Sequence, residues 1–250
     1  MRKFNSPPKD IAYLTYRWGR SLLNPRLFGY FRDLIIYSRK SGAETINFIN
    51  TYPVVNERIL ETPFDSHYFY QDIWAARKIY KSRVKNHVDI GSNIEFVGFL
   101  TAFTKVSFVD IRPLMVKLDN FKSIKGTLID LPFKDNSINS LSCLHVAEHI
   151  GLGRYGDQLD PLGTKNACKE LSRVLAKGGK LYFSLPVGKP RLCFNAHRIH
   201  SPKKILKYFK DLKLVRFSGV NDEGSFLDKA NIEDFETQNY ACGLFVFTKK

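Results

Sequence analysis

The sequence predicts an α/β protein: a doubly wound, mostly parallel sheet of seven strands, with a helical extension ahead of it. Three observations carry this reading. From Lys85 onward, short runs rich in Val, Ile and Phe alternate with segments of helical apolar spacing, the pattern of a parallel sheet covered on both faces. Asp89, Asp110 and Asp130 stand at or near the ends of the first three runs, where a doubly wound sheet opens a crevice. The chain has 250 residues, enough for one sizeable core plus an extension, with no internal repeat or low-complexity tract.

Residues 1–62 read as a basic helical extension and 63–250 as the sheet domain. In Ile11–Lys40, Leu22, Leu23, Leu27, Phe28, Phe31, Leu34 and Ile35 recur at helical spacing among Arg17, Arg20, Arg26, Arg32 and Arg39. Pro25 breaks this amphipathic helix or starts its second half. Such a helix packs on its own domain or makes peripheral contact with a membrane surface or a partner. In the second part, Val88-Asp89-Ile90 ends the first strand and Ile94–Phe103 is a helix. Val106–Asp110 is the second strand, and the third ends at Thr127-Leu128-Ile129-Asp130. A fourth strand runs from Ile138 to Val146. Thr164–Ala176 is helical, with Ala167, Leu171, Val174 and Leu175 on one face and Gly178 placed to stop it. Lys180–Leu185 is the fifth strand. Ser201-Pro202 caps and starts a helix carrying Ile205, Leu206 and Phe209. Leu212–Val220 and Gly243–Lys249 complete the seven strands, paired through a long connection.

Composition narrows the partners. Net charge is +15, from 39 Lys and Arg against 24 Asp and Glu, and favours an anionic partner such as a phosphorylated small molecule, nucleic acid or acidic membrane. Residues 1–40 hold nine Lys or Arg against two acids, and residues 177–217 hold eleven against one. No apolar run approaches the ~18 residues that span a bilayer. The first ten residues are polar and proline-bearing, so the expected location is cytoplasmic. Cys143, Cys168, Cys193 and Cys242 form no Cys-x-x-Cys pair, which argues against a zinc knuckle and a disulfide framework. Asp157 and Asp160 alone are too few for a Mg2+ site, and no metal is predicted.

The chemistry-bearing residues sit at the strand ends. Gly91 opens a tight turn into a helix, where a Cβ would block close approach of a ligand to the backbone. The helix N-terminus beyond it favours a carboxylate. Asp110 follows Asp89 by 21 residues and ends the next strand, where an acid accepts hydrogen bonds from both ribose hydroxyls or caps the next turn. Asp130-Leu131-Pro132-Phe133 is an acid followed by an apolar turn suited to an adenine edge.

These pieces resemble class I S-adenosylmethionine-dependent methyltransferases. The resemblance rests on Asp89-Ile90-Gly91, Asp110, Asp130-Leu131-Pro132-Phe133, Val146-Ala147-Glu148-His149 and the run Arg173 to Gly179, and covers about 85–220. It implies a Rossmann-like methyltransferase fold, S-adenosyl-L-methionine as cofactor, and Asp89, Gly91, Asp110, Asp130 and Leu131 as its binding residues. A further resemblance covers about 64–225, through His67–Ala76, Glu148–Pro161 and Phe194–Ile199. It is to a domain-of-unknown-function family of methyltransferase-like proteins, and implies a link to bacterial surface-polysaccharide metabolism. The sequence departs from the usual Asp-x-Gly-x-Gly-x-Gly turn: Ser92, Asn93 and Ile94 follow Gly91, and larger side chains are expected to narrow the crevice.

Methyl transfer to a sugar hydroxyl needs a proton acceptor within hydrogen-bond reach. His145, His149, Asp157, His197 and His200 are the candidates near the strand ends, with His197 and Asp157 assigned as catalytic. Arg154 and Tyr155, in the loop Gly151–Pro161, and Arg198 are assigned to the acceptor, an anionic or phosphorylated sugar-type small molecule. Two other readings stay open. One is a non-catalytic binding or scaffold protein of the same fold. The other is an RNA methyltransferase, for which Asn-Pro-Pro-Tyr and catalytic-cysteine motifs are lacking.

Overall fold

The computed structural model describes residues 24–250. The chain divides into two compact units, one ending at Pro63 and the other spanning Phe64–Lys250. In the first, helix α1 (Leu27–Ser38) is followed by extended chain and a 3-10 turn at Phe48–Asn50, where the Asn47 side chain accepts from the Ile49 amide. Asn24 Nδ2 donates to Asn56 Oδ1 at 2.9 Å, and Asp33 pairs with Arg32 and Arg58. The first part of the expected amphipathic helix, with Arg17, Arg20, Leu22 and Leu23, lies outside the described residues. None of the described helices is long and apolar enough to cross a membrane.

The second unit is an eight-stranded sheet. Five parallel strands come first in sequence: β1 (Asn86–Ile90), β2 (Lys105–Asp110), β3 (Phe121–Lys125), β4 (Ile138–Leu144) and β5 (Leu175–Val187). A small hairpin, β6 (Arg191–Cys193) with β7 (His197–Ile199), stands outside the sheet. Then come β8 (Leu212–Val220), β9 (Phe226–Leu227) and β10 (Ala241–Lys249). The spatial order is β3-β2-β1-β4-β5-β10-β8-β9, with β10 antiparallel to both β5 and β8. The long connection between the last two expected strands is therefore present. The eighth strand is the two-residue edge β9, too short to be legible as a pattern.

Helix α2 (Ser66–Ser82) begins at Asp65, whose carboxylate accepts from the amides of His67 and Tyr68 at 3.0 and 3.2 Å. Its buried residues Gln71, Trp74, Ala75 and Ile79 follow helical spacing. With Phe96, Val97 and Leu100 of α3 (Ile94–Leu100), three of these, Trp74, Ala75 and Ile79, cover one sheet face against Val106, Phe108 and Tyr182. The other face is covered by α4 (Gly163–Val174), α5 (Pro202–Tyr208) and α6 (Ile232–Glu236), through Ala167, Leu171, Ile205, Phe209 and Phe235. Ser201 caps α5 by accepting from the Lys204 amide, and Pro202 stands in its first turn.

Three of the boundaries that differ from the sequence reading have a visible physical cause. The third strand lies at Phe121–Lys125, not at Thr127–Asp130. Gly126 ends the ladder, where a Cβ would meet Val109 Cγ1 at 2.8 Å, and Thr127–Asp130 closes into a turn. Helix α4 stops at Val174 without help from Gly178. The carbonyls of Ser172, Arg173 and Val174 accept instead from Lys249 Nζ and from the amides of Asn136 and Ser137. Gly178, at φ 73°, sits within β5 where the register against β4 shifts. The fourth strand ends at Leu144, because His145 adopts a left-handed conformation at φ 54°.

Candidate functional site

The carboxyl ends of β1, β2 and β4 open onto a crevice of about 670 Å³, within the range of small-molecule sites. Its floor is the turn after β1. Gly91 has φ 64°, and its amide donates to the Val109 carbonyl at 2.9 Å. An added Cβ would stand 3.1 Å from Val146 Cγ1 and 3.6 Å from Asp110 Oδ2. The backbone is thus bare where a ligand approaches.

Asp89 and Asp110 stand two ladder positions apart and do different work. In the β1–β2 register Asp89 pairs with Phe108 and Ile90 with Val109, so Asp110 lies just past the last pair. Asp110 Oδ1 accepts from the Arg112 amide at 2.7 Å. Its Oδ2 makes no hydrogen bond among the described residues and faces the Gly91 turn.

Asp89 is fully buried and does not line the crevice. It accepts from the Ser92 amide at 3.0 Å, from the Ser92 hydroxyl at 2.7 Å and from the Ser142 hydroxyl. Burial pushes its carboxyl up to about 7, against those three donors. The chain of bonds continues. Ser142 donates to Asp89, and the His87 ring bridges two hydroxyls, with Nε2 at 2.8 Å from Ser142 Oγ and Nδ1 at 2.8 Å from Ser140 Oγ. Ser92 Oγ accepts from the Leu144 amide at 3.0 Å, tying the turn to β4.

The residues after Gly91 therefore build the turn. Ser92 enters this network, and Asn93 caps α3 and donates to Asp72 at 3.2 Å. Neither lines the crevice, so the expected narrowing is not found.

The crevice wall contains Thr127, Leu128 and Ile129, rather than Asp130 and Leu131. Asp130 is exposed, and Leu131 is buried with its amide on Glu170 Oε1 at 2.7 Å. Opposite stands the loop Gly151–Pro161. Its Tyr155 ring carries the Arg112 guanidinium at 4.5 Å and that of Arg154 at 5.1 Å. Arg154 itself lies outside the lining and donates to the Ala196 carbonyl at 3.0 Å.

Asp157 lines the crevice, but its carboxylate is engaged by the amides of Gly151 at 2.6 Å and Tyr155 at 3.3 Å. Burial pushes its pKa up, and the backbone N–H groups outweigh that and hold the carboxyl below its ordinary value. Such a carboxylate braces a loop better than it takes a proton. Arg198 donates to the carbonyls of Ile150 and Asp160 at 2.5 and 2.9 Å, clamping the hairpin to this loop. His197 packs against Tyr240 at 5.3 Å and stands outside the lining. His200 is buried against Tyr208, and burial lowers its pKa to about 4.

The structure therefore gathers Gly91, Asp110, Tyr155 and Asp157 in one crevice, and leaves Asp89, Asp130, Leu131, Arg154, His197 and Arg198 outside its wall. It also brings the candidates His145 and His149 to the wall, and adds Arg112. His149 Nδ1 donates to the Ala196 carbonyl at 2.6 Å, and its Nε2 stands 3.8 Å from Glu148 Oε1. Arg112 carries no sequence signal beyond its place after Asp110.

With this geometry in view, comparison with known proteins is informative. The model of a family described as Caenorhabditis protein of unknown function, DUF268, matches residues 131–250. No curated protein matches the sequence. The N-methyltransferase NodS from Bradyrhizobium japonicum WM9, solved with S-adenosyl-L-homocysteine, superposes with a TM-score of 0.52 at 13% identity, over 72% of this chain and 86% of that one. A geranyl diphosphate methyltransferase solved with S-adenosylmethionine gives 0.51 at 14%, over 72% and 85%. The fold is that of the class I methyltransferases. The [4+2]-cyclase SpnF also matches, at 0.51 and 10% identity over 71% and 80%. At these identities the likeness bears on the fold, and the chemistry has to be argued from the site.

Proposed function

We propose that the chain is an S-adenosylmethionine-dependent methyltransferase. The observation that carries this is the unpartnered Asp110 Oδ2 facing the bare Gly91 turn across the crevice. A carboxylate at the end of the second strand, beside an exposed glycine backbone, suits a ribose diol. Leu128 and Ile129 offer an apolar wall for adenine. The cofactor, when bound, supplies an electrophilic methyl group.

The protein's remaining work is to hold the acceptor and take its proton. We assign the acceptor to a hydroxyl-bearing, anionic sugar-type molecule. Tyr155 presents a ring, and Arg112 over it brings charge suited to phosphate. Of the candidate bases, His149 lines the crevice, with Nε2 at 3.8 Å from Glu148 Oε1, whereas Asp157 is spent on amides and His197 stands behind.

Calorimetric titration with S-adenosyl-L-homocysteine tests the cofactor reading. Asp110→Ala removes charge-assisted bonds worth about 1.5–3 kcal/mol, a loss of roughly ten- to more than a hundredfold in affinity. Undetectable binding at millimolar ligand by folded wild-type protein would favour a non-catalytic role for the fold.

A further inference from the structure

One cluster at the edge of the crevice is used by none of this. His67 stands in the first turn of α2, His145 directly after β4, and Cys242 near the start of β10. A donor atom from each lies within 4.8 Å of the other two. The rings of His67 and His145 stack at 5.8 Å, and Cys242 is fully buried beside them. Glu148 is also buried; its Oε1 accepts from His145 Nδ1 at 3.0 Å. Its second oxygen, Oε2, is buried with no hydrogen-bond partner.

A buried imidazole with a half-buried one beside it, a buried thiol and a half-satisfied buried carboxylate are a costly set to bring together. A divalent cation removes the difficulty. Imidazole and thiolate donors at this mutual spacing need close by only about 1 Å to meet Zn–N and Zn–S bonds of roughly 2.0–2.1 and 2.3 Å. With Glu148 on Nδ1, His145 has Nε2 left to ligate, the carboxylate–histidine–metal relation that fixes ring orientation in metal sites. The charges close as well: the Cys242 thiolate and the Glu148 carboxylate balance the two positive charges of the ion. The left-handed backbone of His145 takes its side chain out of the strand's alternation and against His67.

We propose that His67, His145 and Cys242 bind one Zn2+, with Glu148 positioning the His145 ring. Binding converts the Cys242 thiol to a zinc-bound thiolate, and the thiol proton leaves to solvent. His145 also stands in the crevice wall, so the metal borders the crevice, and three protein ligands leave a fourth position for water or a bound group. The site ties the start of α2 to the sheet whatever the crevice binds. No Cys-x-x-Cys spacing announces it, because its ligands come from three distant parts of the chain.

The full chain is stripped with chelator and titrated with Zn2+ alone, and separately with Co2+. The expected result is one zinc per chain and, in the cobalt form, a thiolate-to-cobalt charge-transfer band. Cys242→Ser abolishes the band, and Glu148→Gln weakens zinc about 10–100-fold. His67→Ala weakens it at least as far, and Cys193→Ser changes nothing. The wild-type cobalt spectrum decides independently of any variant that fails to fold. Folded wild-type protein that takes up no zinc, or uptake indifferent to both Cys242→Ser and His67→Ala, overturns the assignment. Neither readout involves a methyl donor, so the result stands apart from the methyl-transfer reading.

Discussion

Gly91→Ala tests the turn and the crevice together. At φ 64° the backbone is in the left-handed region, which costs a residue with a Cβ about 1–2 kcal/mol. The new methyl would also stand 3.1 Å from Val146 Cγ1, so that side chain must give by a few tenths of an ångström. For a domain of this size, each kcal/mol lowers Tm by about 2–4 °C, so the expected fall is roughly 2–8 °C. The methyl also lies between Val146 and the free oxygen of Asp110, on the floor that a ligand approaches. S-adenosyl-L-homocysteine should therefore bind at least about tenfold more weakly, or 1.4 kcal/mol. Thermal unfolding by circular dichroism and calorimetric titration on the same preparation separate the two effects. An unchanged Tm would refute the strained turn. A lowered Tm with unchanged affinity would show that the ligand does not approach Gly91.

Two further predictions concern the network beneath the site and the loop above it. Asp89 is raised to about 7 from 3.8 by burial, so its contribution to stability is full below about 4 and is lost as pH rises to about 7. Asp89→Asn lacks this loss and should gain on wild type by up to about 1.4 kcal/mol per pH unit across that window, then level off. His87, lowered by burial to about 3, works in the opposite sense: its contribution is full above about 6.5 and is lost as pH falls toward 3. Denaturant unfolding from pH 4 to 8 checks both, and a pH-independent difference between Asp89→Asn and wild type would contradict the assignment. Asp157→Ala removes the acceptor for the Gly151 and Tyr155 amides, so hydrogen exchange there should quicken about tenfold or more; unchanged exchange would mean the loop is braced elsewhere.

Much of the fold was legible in the sequence because its determinants are local and periodic. Apolar runs of strand length, helical spacing in α4, and the Ser201-Pro202 start of α5 all lie in adjacent residues. The strand-end acids were legible too, but their roles were not. Asp89 and Asp110 look alike in sequence; two ladder positions separate them, the first lying in a buried serine–histidine network and the second facing the crevice. Asp130 and Leu131 missed the wall because Gly126 ends the third strand early, which brings Thr127, Leu128 and Ile129 to the crevice instead. His197 and Arg198 were placed at the rim by strand order, but the small β6–β7 hairpin turns one onto Tyr240 and the other onto the loop carbonyls.

The sequence by itself determined the doubly wound sheet, the glycine turn and the carboxylate at the second strand end. Only the tertiary structure decided which polar groups meet. His67, His145 and Cys242 come from the start of a helix, the end of β4 and the start of β10, two strands that flank β5. Strand and helix periodicity fixes which face a residue occupies. It does not fix which distant residue shares that face, because that depends on the register and crossing of elements far apart in the chain.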